Sequence, residues 1–324
     1  MFAVYASSCS SANPLSGLRS GRVARPEVPE GWTLVRLRAA SLNHHDLWSL
    51  RGVGISACRL PIILGSDGAG LDERGRGVIV YGVISHPDWE GDETEYPDRT
   101  ILSEYYSGTF ADEIAVPKRN CVLKPGFFTF EEAACLSSTW LTAYRMLFVK
   151  SGAKPGDTCL VQGAGGGVST ALVTLGAAAG YRMVVTGRDR KKRELALSLG
   201  AERVFELGAH LPTKVDVVME TVGAATWEHS LRSLKPGGTI VVSGATSGAD
   251  LPVNLHRLIS SQFRIVGSTM GTRNELEELL SFCIRVNVKP VIQEVMPLEE
   301  ARRGFQRMID GDVFGKIVFT RPGR

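Results

Sequence analysis

The feature that most constrains the fold is a run of small residues that follows a short apolar segment. Cys159–Val161 is apolar, the run Gly163–Gly167 follows after one residue, and helical periodicity begins near Ser169. When a strand enters a helix through such a loop, backbone N–H groups and the helix dipole can face a phosphate, and glycine is needed because a Cβ atom would block the approach. A simple turn is the alternative, but strand, loop, helix and second strand in this order predict a dinucleotide-binding domain.

The overall composition is that of a globular protein with room for two domains. The 324 residues are 44% hydrophobic and 22% charged, and 37 basic against 34 acidic residues leave a formal net charge of only +3. This balance predicts no nucleic-acid partner and no membrane partner. The start of the chain lacks a signal-peptide pattern, so we expect a cytoplasmic protein. Six cysteines are scattered without any CxxC pair, which argues against a disulfide framework and a structural zinc site.

The pattern of the chain changes near residue 138. Before it, segments such as Thr33–Ala39 alternate apolar and polar side chains, which is typical of half-buried strands. After it, wholly apolar strands alternate with helical segments, the pattern of a parallel sheet covered on both faces. The strands are predicted at 158–161, 182–186, 215–219, 239–243 and 263–266, and the helices at 169–179, 191–199, 226–234 and 255–261.

These patterns predict an α/β protein of two domains. Residues 138–270 are predicted to form a Rossmann domain, a doubly wound parallel sheet. Residues 1–137 form a β-rich domain, to which 271–324 return through a helix at 274–284 and a strand at 316–320. The acidic, proline-containing segment 85–98 is predicted to be a surface loop, with a substrate lid as the alternative.

The end of the second predicted strand indicates which dinucleotide binds. Sites that prefer NAD usually carry an acidic residue there to hold the ribose 2′-hydroxyl, whereas this chain has Gly187 between Thr186 and Arg188. Basic residues also crowd the start of the next helix, at 190–193, where the helix dipole disfavours them. An anion would compensate for this crowding, so we predict NADPH, with its 2′-phosphate, as the cofactor. A solvated basic face is the alternative.

Several short motifs are spread along nearly the whole chain. They are Ser41–Trp48 (SLNHHDLW), Leu64–Gly70 (LGSDGAG), Gly108–Glu113 (GTFADE), Val161–Val168 (VQGAGGGV), Leu234–Thr239 (LKPGGT), Ile265–Gly271 (IVGSTMG) and Phe314–Val318 (FGKIV). Together they resemble the medium-chain dehydrogenase/reductase superfamily, on the branch of quinone oxidoreductases and zinc-binding-dehydrogenase-like proteins. The resemblance implies a GroES-like substrate domain built from both chain ends, a Rossmann domain and a homodimer.

Zinc-dependent members of this superfamily hold a catalytic zinc with cysteine, histidine and glutamate. The resemblance assigns the matching positions to Asn43, Ser66, Asp67 and Ser138, so none of the strong ligands is present. The structural-zinc cysteines of the superfamily would fall within 72–107, a segment that contains no cysteine. We therefore predict no metal.

Without zinc, hydrogen-bond donors must polarise the substrate's carbonyl oxygen while a hydride arrives from the nicotinamide. The resemblance places Asn43, His44 and Ser138 near the reaction, and these are the catalytic candidates. For His44, a proton-donor role suited by an ordinary histidine pKa stands beside that of a hydrogen-bonded histidine in a turn. His44, His45 and Asp46 are predicted to lie in an extended segment, where neighbours point to opposite sides, which argues against a metal site. Asp46 is expected to fix the local turn.

The resemblance and the charge pattern together assign the cofactor contacts. They are Thr142 on the helix that enters the Rossmann domain, the loop residues Gly163, Ala164, Gly165, Gly166, Gly167 and Val168, the adenosine-end residues Thr186, Gly187, Arg188 and Lys192, and, after later strands, Thr221, Val222, Ser243, Gly244, Ala245, Gly267, Ser268 and Thr269.

The leading hypothesis is a zinc-independent, NADPH-dependent oxidoreductase that reduces quinones or α,β-unsaturated carbonyls by hydride transfer. An enoyl-thioester reductase is the nearest alternative, and it would need a longer, basic-rimmed pocket for the pantetheine arm and its phosphates. A third hypothesis is an NADPH-binding sensor or structural protein without catalysis. A small carbonyl compound or quinone is the expected partner of the first.

Overall fold

The structure is a computed structural model that describes residues 1–321. The chain forms two compact units. The first unit comprises Met1–Thr139, Met270–Ile284 and the described residues from Ile292 onward, and the second comprises Trp140–Thr269 and Arg285–Val291.

The strands, in chain order, are β1 (Phe2–Ala6), β2 (Leu18–Arg22), β3 (Trp32–Ser41), β4 (Ile62–Ile63), β5 (Asp67–Leu71), β6 (Gly77–Val80), β7 (Val83–Ile84), β8 (Thr100–Ile101), β9 (Glu113–Pro117), β10 (Cys121–Leu123), β11 (Thr158–Gln162), β12 (Arg182–Gly187), β13 (Arg203–Glu206), β14 (Val215–Glu220), β15 (Leu234–Val242), β16 (Arg264–Gly267), β17 (Ile292–Pro297) and β18 (Lys316–Thr320).

The α-helices, in chain order, are α1 (His44–Arg51), α2 (Phe130–Ala133), α3 (Leu141–Tyr144), α4 (Gly167–Ala178), α5 (Arg190–Ser198), α6 (Trp227–Ser233), α7 (Leu255–Ser261), α8 (Arg273–Val286) and α9 (Ala301–Ile309). Two π-helical turns, Leu136–Trp140 and Arg145–Lys150, flank α3. Short 3₁₀ turns lie at Pro14–Gly17, Ala57–Arg59, Glu93–Glu95, Lys118–Asn120 and Leu298–Glu300.

The second unit contains a parallel sheet of six strands in the order β13-β12-β11-β14-β15-β16. Numbered from β11, this order is that of a Rossmann fold, in which parallel strands are joined by crossover helices. The central strands are apolar on both faces, and Leu160, Val218 and Ile240 are completely buried. Trp227 and Leu231 of α6 pack on the same core. The predicted α/β fold class is confirmed by this parallel sheet and its crossover helices.

The first unit contains a mixed sheet in the order β10-β6-β5-β3-β18-β17, and β9 pairs with the first half of β3. The second half of β3 pairs with β5 on one side and β18 on the other, so the end of β3 lies between them. The buried rings of Phe110, Phe305 and Phe319 meet edge to face and form the aromatic centre of this unit. This packing holds the last residues of β3 and the first residues of β5 and β18 together.

The structure differs from the sequence prediction in a few elements. Residues 44–51 form helix α1, so the prediction that His44, His45 and Asp46 lie in an extended segment is wrong. Strand β15 begins five residues earlier than predicted, and β13 and α9 were not predicted. Segment 85–98 is a loop with one 3₁₀ turn. Within residues 1–321, none of the helices combines the length and the apolar character that a membrane span requires.

Candidate functional site

The glycine-rich loop follows β11 and leads directly into α4. Gly163 has a φ of +91°, a left-handed conformation that glycine adopts without strain. Gly166 is the N-cap of α4 and offers no side chain to cap it, so the first-turn N–H groups of the helix are not covered by a capping side chain. A helix N-terminus with uncovered N–H groups suits a diphosphate, and the loop therefore fits the phosphates of a dinucleotide.

The other predicted cofactor residues gather at one edge of the same sheet. Parallel strands end at a common edge, here called the carboxyl edge, and open α/β sheets bind ligands outside it. Six strands end there, β13 at Glu206 and the other five at Gln162, Gly187, Glu220, Val242 and Gly267. The predicted cofactor residues that directly follow these strand ends are Gly163–Val168, Arg188, Thr221, Val222, Ser243, Gly244, Ala245, Ser268 and Thr269.

The hydroxyls of two predicted cofactor residues, Thr186 and Ser268, differ in their hydrogen bonding. The hydroxyl of Thr186 is buried and donates to Gln162 Oε1 at 2.5 Å, so its proton is used inside the sheet. Ser268 Oγ is also buried, but it has no hydrogen-bond partner within residues 1–321. Since buried polar atoms are almost always paired, the Ser268 hydroxyl remains available for a ligand. Thr142 lies buried on α3.

The loop after β14 is held by a carboxylate that the sequence analysis missed. Glu220 is completely buried and accepts hydrogen bonds from the N–H groups of Val222 and Gly223 at 2.8 and 3.0 Å. The hydroxyls of Thr226 and Ser230 also donate to it. A carboxylate at the end of a central strand was visible in the sequence, but its four partners follow only from the fold.

At the predicted adenosine end, Arg188 is a basic side chain without an ion pair among the described residues. Gly187 is buried, and a Cβ there would lie 2.8 Å from the Cβ of Ala164, so this position cannot carry an acid without moving the loop. Asp189 caps α5 by accepting from the N–H of Lys192. Arg190 pairs with Glu194, whereas Arg188 is exposed and has no ion pair within the described residues. Arg193 donates to the Gly187 and Arg188 carbonyls.

In the first unit, the positions matched to zinc ligands form a hydrogen-bonded polar cluster. Asn43 Nδ2 lies 2.9 Å from Asp67 Oδ2 and 3.3 Å from Ser66 Oγ. Ser66 Oγ lies 3.2 Å from Ser138 Oγ. Ser41 and Ser137 also donate to the Asp67 carboxylate. The structure thus brings together two of the three predicted catalytic residues, Asn43 and Ser138.

The same cluster contains a lysine that the sequence analysis did not single out. Lys316 begins β18, its side chain is only 2% exposed, and its ammonium group lies 3.5 Å from Asp67 Oδ2. It donates to the Leu42 carbonyl at 2.9 Å and to Asn43 Oδ1. The sequence did contain a signal for Lys316, because this lysine is followed directly by three apolar residues. A charge at the start of a buried strand costs free energy unless it finds partners.

These residues do not fit a zinc ion. Zinc in proteins prefers thiolate, imidazole and carboxylate ligands. The cluster offers an amide, two hydroxyls and a single carboxylate, and that carboxylate already faces the ammonium group of Lys316. In the part of the chain that the structure describes, no group of three or more His, Cys, Asp or Glu side chains is placed to hold a metal ion.

Helix α1 places two histidines beside the cluster. His44 is solvent-exposed, yet desolvation by nearby protein atoms lowers its pKa to about 4, and the charges of Lys316 and Arg51 lower it further. The imidazole is therefore neutral at neutral pH, and the expectation of an ordinary histidine pKa is wrong. A catalytic role for His44 stays a prediction. His45, which the sequence analysis set aside, has a buried Nε2 without a hydrogen-bond partner within residues 1–321.

Asp46 fixes the start of α1, as expected from the sequence. Its carboxylate accepts from the N–H of Asn43 at 2.8 Å and from the N–H of Gly65 at 2.9 Å. Burial raises the pKa of Asp46 to about 6, although these bonds and nearby charges oppose the shift. The folded chain therefore keeps the proton of Asp46 to a higher pH than the unfolded chain does.

We expect this proton to stabilise the fold below about pH 4 and its stabilising effect to be lost as the pH rises through 6. Asp46→Asn cannot titrate, so the difference in the free energy of unfolding between wild type and variant should fall by about 2 kcal/mol between pH 4 and pH 7. Denaturant unfolding at several pH values measures this difference, in which other titrating groups cancel. A difference that stays constant across this range would contradict the assignment.

Comparison with known proteins identifies the class and the family. A family profile described as zinc-binding dehydrogenase matches residues 167–285. An alcohol dehydrogenase of Geobacillus stearothermophilus is 30% identical, over 93% of this chain and 95% of that protein. The acryloyl-coenzyme A reductase of Metallosphaera sedula is 27% identical, over 94% of this chain and 96% of that protein. The crystal structure of an NAD-dependent alcohol dehydrogenase, 32% identical, superposes with a TM-score of 0.92 over 99% of this chain and 100% of that one.

The fold and these relatives define an oxidoreductase of the Rossmann class. The chain belongs to the medium-chain dehydrogenase/reductase superfamily.

Proposed function

We propose that the chain is a zinc-independent, NADPH-dependent reductase of quinones or α,β-unsaturated carbonyls. The observation that carries this proposal is the polar cluster, in which an amide, two hydroxyls and one carboxylate occupy the positions matched to zinc ligands and Lys316 contacts the amide and the carboxylate. The glycine-rich loop of the second unit supports a dinucleotide, and Gly187 in place of the acid, followed by the basic Arg188, supports NADPH.

Reduced nicotinamide, when bound, supplies the hydride for the reaction. Negative charge then develops on the carbonyl oxygen of the substrate, and donors aimed at that oxygen lower the barrier. Asn43 and Ser138 belong to the polar cluster that we propose to supply them. His44, neutral at neutral pH, can donate a hydrogen bond but is not a reservoir of imidazolium protons. His45 is added as a candidate because its buried Nε2 has no partner among the described residues.

The test is to mix the purified protein with NADPH and a panel of quinones and enones and to follow the absorbance of the reduced nicotinamide. We expect turnover that a zinc chelator does not reduce, with NADH as the comparison cofactor. Cofactor binding without turnover of any panel member would favour the third hypothesis, a sensor or structural protein. Turnover that a chelator abolishes would refute zinc independence.

A cavity in the first unit favours an enoyl thioester as a second candidate substrate. Its volume is about 1020 Å³, and Trp32, Tyr105, Arg59, Arg99 and Lys118 are among the residues that line it. Neither arginine nor the lysine has an ion-pair partner within residues 1–321, and the Arg59 guanidinium lies 3.3 Å from the centre of the Tyr105 ring. Aromatic rings and unpaired cations suit the base and phosphates of a nucleotide.

A short stretch of chain joins a residue of the cavity wall to a residue beside the polar cluster. The cavity wall includes Ile84, which is two residues after Gly82. Two residues of fully extended chain span at most about 7 Å. A Cβ at Gly82 would lie 2.7 Å from the Ser66 carbonyl oxygen, so Gly82 adjoins the cluster. The relative from Metallosphaera sedula is an acryloyl-coenzyme A reductase, which agrees with this candidate. Crotonyl-coenzyme A should then be reduced at a higher kcat/KM than crotonyl-pantetheine, and equal values would argue against a nucleotide in the cavity.

The free edge of the parallel sheet supports a homodimer, which we also propose. Strand β16 pairs only with β15 among the described strands, and the side chains of Leu255, Ile259 and Ile265 nearby are 65%, 74% and 37% exposed. Apolar side chains beside an unpaired strand edge are typical of surfaces that a second chain covers. Ile259→Asp should therefore convert a dimer into monomers, as measured by light scattering after size-exclusion chromatography. Wild-type protein that elutes as a monomer would refute this proposal.

A further inference from the structure

The polar cluster contains an amide whose orientation is fixed by two neighbours. Lys316 Nζ contacts one end of the Asn43 side chain, and an ammonium group has donors only, so that end must be Oδ1. At the other end, Asp67 Oδ2 lies 2.9 Å away, and a carboxylate oxygen accepts from an NH₂ group. Both contacts require the same orientation. The Asn43 amide therefore receives a hydrogen bond from Lys316, and its NH₂ group donates toward Asp67, Ser66 and the Ser41 carbonyl, at 2.9, 3.3 and 3.4 Å.

This orientation determines the direction of the remaining hydrogen bonds. Ser66 Oγ accepts from Asn43 Nδ2 at 3.3 Å, and its other partner in the described chain is Ser138 Oγ at 3.2 Å. If Ser138 donated to Ser66, the Ser66 proton would have no acceptor at a site that is only 1% exposed. A buried unpaired donor is costly, so Ser66 donates to Ser138. The Ser138 proton then has no acceptor within residues 1–321, and Ser138 is the more exposed of the two, at 6%.

We propose that Lys316, Asn43 and Ser66 form a hydrogen-bond relay that presents the hydroxyl proton of Ser138 to the carbonyl oxygen of the substrate. Ser138 is the catalytic residue of this relay, and the other three are positioning residues. The inference rests on the proposed function. It specifies which group, at the positions matched to zinc ligands, polarises the carbonyl oxygen of the substrate in place of zinc.

The physical basis is the charge at the beginning of the relay. Hydrogen bonds that follow one another polarise each other, and a buried ammonium group strengthens the first of them. The charge of Lys316 also acts on neighbouring groups, since it lowers the pKa values of His44 and Asp46. A donor polarised in this way stabilises negative charge on oxygen better than an isolated serine does.

The reaction balances without moving a proton along the relay. The hydride adds to the β-carbon with its electron pair, and the electrons of the double bond move onto the carbonyl oxygen. Ser138 holds that oxygen by a hydrogen bond and keeps its own proton. Water then protonates the α-carbon, so two electrons and one proton from the reduced cofactor and one proton from solvent complete the reduction.

A simpler role for Lys316 would be to neutralise Asp67, and variants of the two serines separate the possibilities. Ser66→Ala breaks the relay but keeps the pair of Lys316 and Asp67. With the best substrate of the panel, Ser138→Ala should lower kcat by about 100-fold and Ser66→Ala by about 10-fold, while the Kd for NADPH stays unchanged. Since both serines act through one hydrogen bond, the double variant should be no slower than Ser138→Ala alone.

Ser151→Ala is the matched control, because Ser151 is a buried serine outside the polar cluster and its hydroxyl donates to the Leu147 carbonyl at 2.6 Å. Its kcat should stay near that of the wild type. Lys316→Met should also lower kcat. If this variant does not fold, the serine variants still test the relay. A wild-type kcat for Ser66→Ala, or effects of the two serines that multiply in the double variant, would overturn the relay while leaving the proposed function intact. If wild-type protein reduces no member of the panel, the proposed function fails and the relay falls with it.

Discussion

Replacing Arg188 with glutamate should weaken the binding of NADPH by about 100-fold, which corresponds to roughly 2.7 kcal/mol. Arg188 follows β12 directly, is exposed, and has no ion pair in the part of the chain that the structure describes. We expect it to pair with the 2′-phosphate, and a carboxylate there would both remove this pair and repel the phosphate. NADH has a hydroxyl at this position, so its affinity should change little. Fluorescence titration with each cofactor measures both constants.

Arg190→Glu is the matched control for this prediction. It makes the same change of charge two residues away, but Arg190 is paired with Glu194 on the exposed side of α5. Its effect on NADPH should be small compared with that of Arg188→Glu. Equal losses of affinity for NADPH and NADH in Arg188→Glu would refute the assignment of the 2′-phosphate to this residue.

Glu220→Ala should lower the free energy of unfolding of the second unit by about 4 kcal/mol, because it leaves several buried donors without their acceptor. Four groups donate to this carboxylate, from the backbone at 222 and 223 and from Thr226 and Ser230. The same change should loosen the loop after β14 and weaken binding of either dinucleotide. Thermal unfolding, followed with and without cofactor, measures the effect.

Glu202→Ala serves as the control for charge removal in this unit. Glu202 forms an exposed ion pair with Arg182 at 2.8 Å, and exposed pairs contribute at most about 1 kcal/mol. A loss of stability in Glu220→Ala no larger than that in Glu202→Ala would show that the buried carboxylate does not organise the loop.

The second unit was predictable because its signals are local. A strand buried on both faces must be apolar throughout, and a helix between two such strands must show a period of 3.6, so β11 and α4 could be placed within a few residues. Elements with weaker local signals were missed. Helix α1 begins with two histidines and an aspartate, and it is stabilised in part by the bond from Gly65 to Asp46, which no local pattern contains.

In the candidate catalytic site, too, single residues could be identified from the sequence, whereas their contacts could not. Asn43 and Ser138 were identified singly, through their match to family positions. Their connection through Ser66 and the participation of Lys316 depend on chain segments far apart in sequence, since Asn43 and Lys316 are 273 residues apart. The pKa of His44 was misjudged for the same reason, because desolvation and the charge of Lys316 arise only when the first unit folds.

The sequence by itself determined the Rossmann unit, the glycine-rich loop and the absence of an acid at the last position of β12, because each depends on the type and spacing of residues close together in the chain. Only the tertiary structure decided that a buried lysine lies among the positions matched to zinc ligands, which way the Asn43 amide points and which serine retains an uncommitted proton. These properties arise from contacts between distant strands and from the loss of water around them, which the local pattern of a sequence does not record.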